Sequence, residues 1–103
     1  MVFGSSGSSS RGSFTPQQFL VLANVYLEKA LSESDPDIAL ELCRNAKDSL
    51  SKAKKTVKHA NNQFVVEGIA TAYISLGQFL EGCGLVNEAQ AIFKKAHSFM
   101  GQF

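Results

Sequence analysis

Small apolar residues recur through the middle of this chain at alternating steps of four and three: Ala39, Cys43, Ala46, Leu50, Ala53, Val57 and Ala60. A strand repeats every two residues, so this spacing admits only a helix, with the whole series on one stripe of its surface. It is an unbroken heptad seam of coiled-coil type. Most of its members are Ala or Cys, and short side chains let a neighbouring helix approach closely. A chain built around such a seam packs helix on helix.

The flanking segments carry their own helix signals. "FTPQQF" combines Thr15 as an N-cap, Pro16 at the first helical position and Gln18 to close a capping box. Phe14 and Phe19 are spaced to staple that turn, and a first helix is expected from about Pro16 to Ser32. "SESDPDIAL" repeats the device with Asp35 and Pro36, starting a second helix that runs to about Ala60. After the break at "ANNQ", a third helix from about Gln63 to Gly82 is apolar nearly all round and should be the most buried. "GCGLVN" turns the chain, with Gly82 or Gly84 free to take the left-handed conformation that ends helices. A fourth helix follows from about Val86 to Met100. No segment reads as a strand. The expected fold is all-α, four helices in antiparallel hairpins over residues 14–103. Residues 1–13, almost wholly Gly and Ser between Gly4 and Ser13, read as a flexible tail or linker.

Composition narrows the class. At 103 residues the chain is one domain, and its 45% apolar content suffices for a core. Ten Lys and Arg against nine Asp and Glu argue against disorder and against a general polyanion binder. The start lacks a basic region followed by an apolar one. The most apolar run, Phe64 to Leu80, carries Glu67 and Gln78 and is short for a membrane span of about 20 residues. Cys43 and Cys83 form no metal-type or redox-type pair in sequence, which fits a reducing compartment. The expectation is a soluble, cytoplasmic protein.

Residues 72–96, "AYISLGQFLEGCGLVNEAQAIFKKA", hold Tyr73, Leu76, Gly77, Leu80, Ala89, Phe93 and Ala96 at intervals that resemble the tetratricopeptide repeat. In that family the aromatic and leucine of one helix pack on the next, while the glycine and first alanine let the two helices touch. The resemblance therefore implies a helical hairpin, with Gly77 set against Ala89. Leu80 stands where a second aromatic is usual, and Gly101 where proline is common. The first two helices repeat the pattern loosely. Aligning Ala39 with Ala89 places Cys43 and Ala46 opposite Phe93 and Ala96, but Ala23, Tyr26 and Leu27 then stand opposite Tyr73, Leu76 and Gly77. The two units lie fifty residues apart, against a usual period of about 34.

Candidate chemistry is sparse. His59 and His97 lie far apart, each without a nearby carboxylate, and read as ordinary helix-surface or helix-end residues. Cys43 reads as a small core residue. Cys83 reads as partly exposed, without a basic neighbour to activate it. No carboxylate pair stands between Glu41 and Glu67 for acid–base work. No enzyme activity, metal or cofactor is expected. Lys52, Lys54, Lys55 and Lys58 crowd the end of the second helix while Asp35, Asp37 and Glu41 occupy its start, an order that complements the helix dipole. The same lysines could meet an acidic partner, although no aromatic residue is interleaved for nucleic-acid stacking. Family members that hold chaperone tails clamp a carboxylate with Lys, Asn and Arg on their first helices. The matching positions here are Val21, Val25, Thr71 and Ser75, and none can do so.

These readings converge on a non-catalytic protein–protein interaction scaffold of tetratricopeptide-like type. The alternative is a structural oligomerisation or linker module of a larger multidomain protein. Two hairpins are fewer than the three or so units such arrays usually need. Phe99, Met100 and Phe103 at the end, and Phe19, Leu20, Leu22, Val25, Tyr26 and Leu27 in the first helix, are more apolar surface than a small chain readily hides. A partner surface at Lys52, Lys54, Lys55, Lys58, Phe99 and Phe103 is therefore expected. It would be used by a protein partner or a second copy, rather than by nucleic acid or membrane.

Overall fold

A computed structural model describes residues 14–57 and 63–102. They form α1 (Pro16–Ser32), α2 (Pro36–Val57), α3 (Gln63–Gly82) and α4 (Val86–Met100), with no strand among the described residues. The expected Gly/Ser tail, Lys58, His59, Ala60 and Phe103 lie outside the described residues.

Local chemistry sets the helix starts. The Thr15 N–H donates to Gln18 Oε1 at 2.8 Å, and the Gln18 N–H donates to Thr15 Oγ1 at 3.1 Å. Two otherwise unpaired amides are thereby satisfied. The Phe14 and Phe19 rings meet at a centroid distance of 5.2 Å and clamp the entering chain. At α2, the Asp37 N–H donates to Asp35 Oδ1 at 2.9 Å, with Pro36 at the first position.

The turn after α3 distinguishes between its two glycines. The Leu85 N–H donates to the Leu80 carbonyl and the Gly84 N–H to the Glu81 carbonyl, both at 3.0 Å. This is the Schellman arrangement, and its left-handed residue is Gly84, at φ +86°. Leu85 is at once the residue that closes this motif and the N-cap of α4, where its side chain offers no hydrogen bond. Its side chain packs on the core instead.

Helices α1 and α2 pack as one hairpin and α3 and α4 as another, with α3 lying against both helices of the first. Among the described seam residues Ala39, Cys43, Ala46, Leu50, Ala53 and Val57 are all buried. Helix α3 contributes the most buried residues, including Val66, Ile69, Tyr73 and Leu76. Two glycines of α3 sit tight against neighbouring helices. A β-carbon on Gly68 would lie 2.6 Å from Leu20 Cδ2, where α3 crosses α1. One on Gly77 would lie 2.6 Å from Phe93 Cε1, where α3 meets α4.

Candidate functional site

The residues that carry the repeat resemblance are absorbed by packing. Tyr73, Leu76, Gly77, Leu80, Ala89 and Ala96 are buried, and Phe93 is half-buried. Beside Gly77 the nearest neighbour is Phe93, which the expectation of Gly77 against Ala89 did not include. All three atoms nearest to an added β-carbon there belong to the Phe93 ring, so the glycine leaves room for an aromatic. Burial raises the Tyr73 hydroxyl above its ordinary range.

The expected partner surface divides. Phe99 is corrected: only 1% of it is exposed, and its ring is among the largest fully buried side chains. A helix-end aromatic looks like surplus surface in sequence, but α4 turns this face onto the core. Lys52 is held by Asp48 at 3.2 Å, an exposed pair one helical turn apart and so worth little. Lys55 is exposed and Lys54 half-buried. Lys54 titrates below the usual lysine range through burial first, then repulsion from Lys95 and Lys55. Lys95 therefore joins the α2 lysines from across the fold. Lys58 and Phe103 lie outside the described residues.

His97 is exposed. Both cysteines are free, with Cys43 buried and Cys83 exposed. Burial pushes the Cys43 thiol up to about 11, with a smaller contribution from Cys83. Among the described residues no group of His, Cys, Asp and Glu could hold a metal ion, and no helix is long and apolar enough to cross a membrane.

Beside a groove of Val25, Lys29, Ile38 and Leu42 at the α1–α2 turn, two more emerge that no single helix reveals. The first, about 660 Å³, runs between α1 and α2. One wall carries Phe14, Phe19, Leu22 and Tyr26, and the other Asn45, Asp48, Ser49, Lys52, Lys55 and Thr56. The second, about 360 Å³, is a slot where α2, α3 and α4 diverge. Cys43, Leu76, Leu80 and Ile92 form its buried floor, and half-buried Leu40 and Leu85 its lips. Arg44 and Lys47 stand along the α2 edge, with Glu88 and Ala91 along the α4 edge. Leu40, Arg44 and Lys47 follow one another at helical spacing beside the seam. A helical wheel could have marked that stripe, but not the opposing edge from α4.

Larger apolar side chains also remain outside. Phe64, on the first turn of α3, is 88% exposed and Leu31 is 69% exposed, while Val21, Val25, Ile38 and Ile74 are open to a lesser degree. Comparison with protein-family models, with curated proteins and with solved structures finds no match.

Proposed function

We propose that this chain is a non-catalytic protein–protein interaction scaffold of tetratricopeptide-like type, working in the cytoplasm. The observation that carries the reading is the fate of the repeat-like residues. Tyr73, Leu76, Gly77, Leu80, Ala89 and Ala96 are spent on joining α3 to α4, with Phe93 seated over Gly77. What remains outside is grooves and apolar side chains, the surface of a binding module. Two free cysteines suit a reducing compartment.

The experiment is capture from an extract of the native cell. The full chain serves as bait, captured proteins are cross-linked and identified by mass spectrometry, and the heat-unfolded chain is the control. Proteins retained by the folded bait alone are the expected outcome. An empty difference between the two baits contradicts the reading.

A second reading, a module that joins copies of itself or segments of a longer chain, is favoured by one observation. Phe64 and Leu31 are largely exposed, and such side chains are ordinarily covered in an assembly.

A further inference from the structure

The slot between α2 and α4 combines a preformed apolar floor with a rim of both charge signs. Its α4 lip is fixed by the backbone, because the Leu85 N–H is tied to the Leu80 carbonyl at 3.0 Å and Gly84 holds the left-handed turn. A lip set in advance does not lose conformational freedom when something enters. The volume of about 360 Å³ lies at the small end of ligand clefts, about 300–1,000 Å³. It has room for one or two aliphatic side chains and no folded element.

The rim charges indicate the occupant. Arg44 and Lys47 stand one turn apart on the α2 edge, and Glu88 stands opposite on α4. Among the described residues neither Lys47 nor Glu88 forms an ion pair. Arg44 meets Glu41 at 3.5 Å, with both side chains mostly exposed (73% and 65%). Such a pair is weak and exchanges readily for an incoming carboxylate. A purely anionic amphiphile would satisfy the α2 edge and leave its charge facing Glu88. A polypeptide can offer both signs around an apolar anchor.

We propose that this slot docks a segment of a partner protein in which an aliphatic anchor is flanked by an acidic residue on one side and a basic residue on the other. The anchor enters over Leu76, Leu80 and Ile92, the acid meets Arg44 and Lys47, and the base meets Glu88. This rests on the scaffold reading and names the chemistry of its partner.

The probe is a phage-displayed random peptide library panned on the full chain, followed by fluorescence anisotropy of one selected, labelled peptide. Enriched sequences should share an aliphatic residue with Asp or Glu on one side and a basic residue on the other. Reversing the rim with Arg44→Glu and Lys47→Glu should weaken the labelled peptide about tenfold or more, and replacing its acid by Lys should restore binding to that variant. Ala91→Trp, at an exposed lip position, should block binding while the circular dichroism spectrum stays unchanged. An empty selection, or peptides without the motif, overturns the proposal. So does displacement of the peptide by dodecanoate with the same dependence on the rim, which would make the ligand a lipid. Peptides that bind but ignore both variants remove the slot and leave the scaffold standing. Failure of capture from native extract removes the scaffold itself.

Discussion

Gly77 and Gly68 both sit inside α3 where another helix crosses, yet they should answer substitution in opposite ways. A side chain at Gly77 runs into the Phe93 ring through three of its atoms, at 2.6, 2.8 and 2.9 Å. Gly77→Leu should therefore cost on the order of 1–3 kcal/mol through overpacking. At Gly68 the obstacle is one terminal methyl of Leu20, at 2.6 Å, and the flexible end of a half-buried side chain can step aside. Gly68→Ala also removes the helical penalty of glycine, so it should be neutral or stabilising by up to about 1 kcal/mol. Urea unfolding of both variants checks the pair, and the reverse order would refute this view of the crossings. Cys43 gives a second residue-scale test. Its folded thiol remains protonated where the unfolded thiol, with an ordinary value of 9.0, already ionises. Its contribution to stability is complete below pH 9 and is lost as pH rises through about 11. Wild type should lose more stability than Cys43→Ala over that alkaline window. At neutral pH an alkylating reagent should modify Cys83 long before Cys43. Equal rates would show that Cys43 is not buried.

At the scale of the helices, the two ends of α3–α4 connection rest on one glycine. Gly84→Ala, forced to φ +86°, should cost about 1–2 kcal/mol, whereas Gly82→Ala meets nothing within 4 Å and should be harmless. Matching melting temperatures for the two would contradict the Schellman assignment. On α2, Lys54→Glu with Lys55→Glu should change stability by only a few tenths of a kcal/mol per site, because neither lysine forms an ion pair among the described residues. Outright unfolding of the double variant would show instead that they are structural. These elements also show what a sequence can disclose. The starts at Thr15 and Asp35 and the seam from Ala39 to Val57 are local signals, written within one turn or one stripe, and the structure matches them. The choice of Gly84 over Gly82 depends on which residue follows the last helical carbonyl. Phe93 on Gly77, Lys95 beside Lys54 and the slot rim are long-range pairings between helices, and no spacing along one helix contains them. Phe99 misleads for the same reason, since its burial depends on where the rest of the fold lies.

The described residues form a slab, 43 × 35 × 16 Å over its Cα atoms. Helices at 8–10 Å spacing with a Cα radius of about 2.3 Å make two layers about 13–15 Å thick, so the thin dimension is two helices deep. Among the described residues nothing packs over the slab's two broad faces, and the ends differ. Helix α4 turns mainly polar residues outward, with Phe99 folded inside and only Val86 and Met100 notably exposed among its large apolar side chains. Helix α1 buries Leu27 and half-buries Phe19, Leu20, Leu22 and Tyr26, leaving Val21, Val25 and Leu31 outside. A polar end at α4 and grooves with charged rims suit a monomer that receives other proteins better than a unit that closes on itself. Sedimentation equilibrium of the full chain tests this choice most directly. A single species of 11.1 kDa that holds its mass as concentration is raised is the expected result. A stable dimer of twice that mass would contradict it and make self-assembly the function of the exposed apolar face.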